Sequence, residues 1–341
     1  MWFSITEAQE DISPKLMIAP HTFELDVFAG ETRKERIKVY NQSDVAIPIS
    51  TRIVDFTAEE ESGYMIFDES VSNPSIAARK WIKIENPKFI LDPKEVVEVK
   101  FSIEVPKDAE SGGHYAVILF DATLPDFYFK EDQPKVTPSL GALVMLSVKT
   151  LNLEPTAESQ KIEIVEFGIP KEQKIKGLEE AITTAFQIIP RVQAASINIV
   201  EKSPSGFTLR IKNNDIFHHK LEGKLLISNM FGKKIGEMQI KSTTILPGKI
   251  RKFPIEFRPE IPKYLKWLPA WFSNLLVQNA SFGSYHAVLG LSEEKEGLVI
   301  NQTLGFWALP WKLILLFVLI TALFIVLRKR IISVFRILLK P

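Results

Sequence analysis

The sequence predicts a mainly β protein, with two tandem immunoglobulin-like β-sandwiches followed by one transmembrane α-helix. Three observations carry that expectation. Apolar and polar residues alternate with period two along most of the chain, which gives a strand one buried and one wet face. Three sequence blocks recur in the same order in both halves, the mark of a duplicated unit. Near the C-terminus, about twenty apolar residues are followed by Arg328-Lys329-Arg330, enough to cross a hydrocarbon core of about 30 Å.

The 341 residues hold two ordinary domains plus extras, at roughly 150 residues per domain. Residues 1–13 read as a signal-peptide remnant or a frayed terminus. Thr6-Glu7-Ala8 places small residues where a signal peptidase cleaves, before Gln9. Residues 14–155 form the first sandwich. Val97, Val99, Phe101, Ile103 and Val105 alternate with Glu98, Lys100, Ser102 and Glu104, and Ile37 and Val39 alternate with Arg36, Lys38 and Tyr40. Strand-like runs also cover roughly 22–28, 45–56, 78–84, 114–123 and 140–151, and turn-forming clusters such as 29–31, 41–44, 91–94 and 110–113 separate them.

Residues 156–306 form the second sandwich, with the boundary near Leu153–Ser159. Segment 36–44 matches 209–217, 90–106 matches 245–259, and 112–120 matches 283–291. Two insertions distinguish this half. In 168–194, Ile175, Leu178, Ile182, Phe186 and Ile189 recur at helical spacing. From turn proline to strand tyrosine is 22 residues in the first module (Pro93 to Tyr115) and 38 in the second (Pro247 to Tyr285). The excess of 16 falls in 260–282, a greasy loop carrying Tyr264, Trp267, Leu268, Trp271, Phe272 and Leu275. These residues are candidates for contact with membrane or a partner, or for capping the module's own core. Alternating strand directions put this loop at the pole where the last strand leads into the span.

The pattern at Pro20, Phe23, Leu25, Gly30, Ile37, Val39, Asn41 and Ser43, followed by Trp81, Leu91, Pro93, Pro106, Gly113, His114 and Tyr115, resembles the first module of bacterial WxL-interacting cell-surface proteins. It is more distantly similar to pilus-chaperone and sperm-protein-type sandwiches. The first resemblance implies two modules, a C-terminal span and a basic tail, with peptidoglycan and partner proteins as ligands. It implies no functional residue, because the matched positions are scaffold positions.

The transmembrane helix is expected over 307–327 and a basic cytoplasmic tail over 328–341. Trp307, Trp311, Lys312, Arg328, Lys329 and Arg330 would anchor it at the two interfaces. Residues 312–341 hold six basic residues and no acid, so this end faces the cytoplasm and the ectodomain lies outside. Residues 1–155 hold 16 Lys+Arg against 26 Asp+Glu, and residues 156–311 hold 20 against 15.

The absence of cysteine excludes disulfides, thiolate metal sites and thiol catalysis. His218 and His219 are adjacent, so strand geometry aims them at opposite faces and away from one metal. His114 and His286 sit beside Tyr115 and Tyr285 in swapped order, which denies them a shared role. Glu59-Glu60-Glu61 reads as an acidic loop or a calcium ligand cluster. No phosphate loop, GxSxG, HExxH or GxGxxG occurs. The expected function is therefore non-enzymatic: a membrane-anchored extracellular scaffold of the bacterial cell envelope. It would recognise wall polymer or surface proteins and touch membrane lipid, with no nucleic acid and no cofactor. A wall-modifying hydrolase and an accessory subunit of a membrane complex are the alternatives.

Overall fold

The computed structural model describes residues 15–68, 74–124, 137–150, 161–175, 198–259, 261, 263–279, 282–293 and 299–338. The 1–13 terminus, the boundary near 153–159 and most of the 168–194 insertion lie outside them. The chain divides into two compact units. One is Met1–Glu163 with Asn213–His219 and Ile245–Ile250; the other is Ile164–Lys212 with Lys220–Thr244 and Arg251–Pro341.

The first unit is a sandwich. One sheet has the order β1 (Leu16–Ala19), β3 (Thr32–Asn41), β8 (Val96–Glu104), β6 (Ile82–Ile84). The other runs β2 (Thr22–Phe28), β10 (Ser139–Lys149), β9 (Gly112–Ala122), β4 (Ile47–Ala58), β5 (Met65–Asp68), with β7 (Lys88–Leu91) also on β4. The alternation seen in the sequence supplies the core: Ile37 and Val39 of β3 and Val99, Phe101 and Ile103 of β8 are buried against Ala116, Ile118 and Phe120 of β9. Residues 79–81, expected as strand, form a short 3-10 turn leading into β6.

The opposite face of β9 is buried too. Tyr115, Val117 and Leu119 pack with Val54, Phe56, Met145 and Leu246. Tyr115 lies back over Gly113, where an added Cβ would sit 1.8 Å from the phenol oxygen. Burial pushes the phenol's pKa up, so it stays protonated. Its hydroxyl lies 3.4 Å from His218 Nδ1.

The second sandwich repeats the strand order. β11 (Ile162–Gly168), β13 (Gly206–Asn213) and β16 (Ile250–Glu256) make one sheet. β12 (Asn198–Val200), β18 (Val299–Ala308), β17 (Gly283–Glu293), β14 (His219–Asn229) and β15 (Lys234–Ile245) make the other. In both sandwiches a leading strand pairs in parallel with the last one, β2 with β10 and β12 with β18.

Two buried asparagines set the register. Asn41 donates through Nδ2 to the carbonyls of Val45, Leu91 and Asp92, while its Oδ1 accepts from Ser43 N. Asn213 donates to the carbonyls of Phe217 and Ile245 and accepts from Asp215 N. Asn41 thus corresponds to Asn213 and not to Asn214, one residue off a direct match of 36–44 with 209–217. The turns beside them also correspond. Glu95 N donates to Asp92 O and Lys249 N to Leu246 O, with Lys94 at φ 61 and Gly248 at φ 68 in the same place. Proline precedes each, the arrangement of a type II turn.

The 260–282 loop contains a 3-10 turn (Lys263–Leu265) and helix α1 (Ala270–Asn279). Helix α2 spans Trp311–Leu338, so it begins four residues later than the expected span and runs on through the basic cluster. Trp307 stays in β18, opposite Ser284 and Ile199. Pro310 bars Leu309 from helical backbone, and its carbonyl accepts the first helical bond from Ile314.

Replacing Asn41 or Asn213 by alanine strands buried carbonyls, at about 1–3 kcal/mol for each. In urea denaturation of the detergent-solubilised chain, Asn41→Ala should cost more than Asn213→Ala, with three carbonyls orphaned against two. Gly248→Ala should cost about 1–2 kcal/mol by forcing a Cβ into the left-handed region.

Candidate functional site

Two features of the second unit stand out. The first follows from how each sandwich is closed at its side. In the first unit, β6 pairs with the outer edge of β8, and Ile82, Lys83 and Ile84 stand opposite Ile103, Ser102 and Phe101. Ile82 is buried in the core, and Lys83 pairs with Glu104 at 2.5 Å. In the second unit the equivalent strand, β16, has β13 on one side and no strand on the other among the described residues. β15 is likewise an edge strand. The two edges flank an open groove of about 430 Å³. Its floor includes the buried Ile240, Phe253 and Ile255, and Lys241, Arg251, Lys252 and Glu256 line it as well. Pro254 lies mid-strand in β16, a position proline tolerates only at an edge or bulge.

The second feature is an apolar pole. Trp267 is 80% exposed and Trp271 71%. Leu268 is half-buried, and Tyr264 lies in the 3-10 turn. Phe272 and Leu275 lie within α1, and their side chains fall outside the described residues. Ser273 is buried and its hydroxyl donates to Pro269 O at 3.0 Å. The segment leads into β17 at Gly283, which stands opposite Ala308. Met230 and Phe231, which the sequence reading passed over, occupy the β14–β15 turn at the same end. Asn229 stands opposite Tyr285, and Met230 Sδ lies 3.2 Å from where a Cβ on Gly283 would be. Phe231 is 82% exposed, held by a turn in which the Asn229 side chain accepts from Phe231 N and Lys233 N. The start of α2 is tied down here too. Leu309 N donates to Val200 O, and Lys312 Nζ lies 2.9 Å from Glu201 Oε1 and 5.5 Å from the Trp311 ring. Arg328 is exposed in α2, and Lys329 and Arg330 follow it in the same helix.

Among the described residues, no cluster of three His, Asp or Glu side chains is placed to hold a metal. Glu59 accepts from Ser62 Oγ within its own turn. His218 and His219 are buried rather than wet. They diverge, one toward Tyr115 and the other to Asp215 Oδ2 at 3.0 Å. His114 is buried on the Trp81 ring, whereas His286 faces outward.

No family model matches the chain, and no curated protein does. Among solved structures it is similar to fimbrial chaperones of the PapD-like kind. A chain of a chaperone–tip adhesin complex of CFA/I fimbriae is 12% identical, with 87% of this chain and 99% of that one covered and a TM-score of 0.37. The E. coli chaperone DraB is 13% identical, covering 86% and 98%, at 0.35. A chain of the Salmonella enterica SafA pilin–SafB chaperone complex is 12% identical, covering 87% and 99%, at 0.34. At these identities the likeness is one of fold.

The resemblance to WxL-interacting proteins is corrected by these comparisons. The positions that carried it, among them Phe23, Ile37, Val39, Asn41 and Leu91, are core and turn positions of the first sandwich. The reading as a wall-binding scaffold falls with it, and the hydrolase and accessory-subunit alternatives have no counterpart among these neighbours. Wall polymer as a ligand has no support; the neighbours include chaperones solved in complex with a tip adhesin or a pilin. The fimbrial neighbours are described as chaperones, not as enzymes.

Exposure separates surface from core-capping roles for the two tryptophans. Trp267→Ala/Trp271→Ala should shift the urea midpoint by no more than about 0.5 kcal/mol per site, as surface substitutions do. Loss of about 3–5 kcal/mol per tryptophan, the cost of truncating a buried one, would show that they cap the core.

Proposed function

We propose that the chain holds an extended segment of a protein partner by strand addition at the open edges of its second sandwich, and that α2 fixes it in a membrane. The observation that carries the first part is the contrast between the two sandwiches. The outer edge of β8 is filled by the chain's own β6, while the corresponding edge of β16 is bare among the described residues and faces β15 across an apolar-floored groove. Unpaired strand edges are templates for another chain. In strand addition, main-chain bonds supply affinity and pockets for alternate side chains supply selection.

β6 indicates the pattern that fits: apolar, charged, apolar, with the apolar residues facing inward. In the second sandwich the groove carries Lys241, Arg251 and Lys252 against Glu256, so the matching segment alternates apolar and acidic residues. This reading agrees in kind with the chaperone–adhesin and chaperone–pilin complexes among the fold neighbours, and its support is the groove.

A fluorescent ten-residue peptide alternating isoleucine and glutamate is the probe for the full chain in detergent. Anisotropy should report saturable binding that weakens with salt, and Lys241→Glu/Arg251→Glu should lower affinity at least about tenfold, or 1.4 kcal/mol. Absence of binding, or binding indifferent to the charge reversal, overturns the reading.

The second part is supported by the composition and exposure of α2. Trp311–Arg328 has a mean hydropathy of 2.3 and none of it is buried. The basic cluster sets the orientation, with the sandwiches outside. The chain has no cysteine, so single ones report cleanly. An impermeant maleimide should label Glu222→Cys in intact cells and Ser333→Cys only after lysis; the reverse pattern refutes this orientation.

A further inference from the structure

We infer that the apolar pole of the second sandwich, built from the 230–233 turn, residues 263–279 and Phe282, rests on the membrane surface at the point where α2 enters it. The inference depends on α2 crossing the membrane. It goes beyond that reading by assigning a lipid-headgroup site to residues outside the helix.

Position is the first ground. β17 begins at Gly283, opposite Ala308, and α2 starts three residues after Ala308. The β14–β15 turn closes on the same end, since Asn229 stands opposite Tyr285. The Leu309–Val200 bond and the Lys312–Glu201 pair hold the start of α2 against the sandwich rather than on a free tether. Whatever lies at this end lies close to the bilayer surface.

Chemistry is the second ground. Phe231, Trp267, Trp271 and Phe282 are each more than 60% exposed at this end. Trp307, half exposed, is one residue from the end of β18. Phe231 sits at the tip of a tight turn, where polar residues are usual, and Asn229 holds that turn in shape. Tryptophan rings are favoured at headgroup depth, and exposed aromatic rings prefer that layer to water. Charge points the same way. Residues 261–292 contain Lys263 and Lys266 and no carboxylate, and Lys233 lies in the turn, next to Lys234, which pairs with Glu237. Lysines near an anionic surface add to the attraction. A protein partner would meet the same apolar groups. The commitment to lipid comes from the fixed junction with α2, which leaves this end next to the bilayer.

The test uses the full chain in vesicles of three parts phosphatidylcholine to one part phosphatidylglycerol, with a nitroxide on a single introduced cysteine. Collision rates with oxygen and with a water-soluble nickel chelate report depth. Lys233→Cys and Ala270→Cys keep the aromatic residues in place and sample the pole. Glu222→Cys, at the far end of β14, samples water, and Val326→Cys samples the span. The expected result is an oxygen-to-nickel ratio at positions 233 and 270 several-fold above that at 222 and below that at 326. Adding Phe231→Ser, Trp267→Ser and Trp271→Ser should return position 270 to the value at 222, with circular dichroism unchanged. Positions 233 and 270 matching 222, while 326 reports lipid, overturn the pole and leave the span intact. Position 326 reporting water removes the span and the pole together.

Discussion

One buried carboxamide in each sandwich determines how the rest is arranged. Asn41 and Asn213 end their strands inside the protein, where an unpaired amide would cost about 1–3 kcal/mol. Each answers that cost by donating to carbonyls of two separate segments, the turn just after it and the strand end just before β8 or β16. The connection between sheets is thereby fixed at one pole. The chain between the two anchored turns is then free to differ. After the equivalent strands β4 and β14, the first sandwich builds β5, two 3-10 turns, β6 and β7 there, and the second builds one strand, β15, in a hairpin with β14. The difference in side closure, and so the groove, arises in the stretch that the asparagines leave unconstrained.

That division explains what the sequence made legible. Period-two alternation is a local property, and it located β2, β3, β8, β9 and β10 to within a few residues. The duplication was visible because the same core and turn positions recur. The register of its first block was displaced by one residue, because Asn213 and Asn214 are adjacent and only the hydrogen bonds of Asn213 show which is buried. The groove left no signal, since an open edge is a property of which strand lies beside which. β6 is three residues long, and nothing in Ile82-Lys83-Ile84 marks it as a lid on another strand. Phe231 was missed for a related reason. A lone apolar residue in a turn becomes notable only beside Trp267, Trp271 and Phe282.

The same contrast disposes of an argument from overall charge. The excess of acid in the first half and of base in the second invites a picture of one module repelling and the other attracting an anionic polymer. Charges more than about 10 Å apart are largely screened at ordinary ionic strength, so a ligand responds to the few groups beside it. In the first sandwich many acids are matched locally, Glu31 by Arg33, Glu98 by Arg36, Asp121 by Arg52 and Glu104 by Lys83. What a bound segment would meet in the second is the short set Lys241, Arg251, Lys252 and Glu256.

β15 joins the two proposed surfaces. Its first residue, Lys234, follows the turn that carries Phe231, and its groove-lining residues begin at Met238. Four residues of strand separate them, about 13 Å at 3.3 Å each. With the pole on the headgroups, the groove starts only those four residues along β15 from the surface, and a segment paired along β15 is held beside the bilayer rather than out in bulk. A partner that is itself emerging from or anchored in the same membrane presents its adjoining chain at that height without stretching. Confinement to a surface layer raises its effective concentration at the groove, so a modest edge-on affinity suffices to hold it.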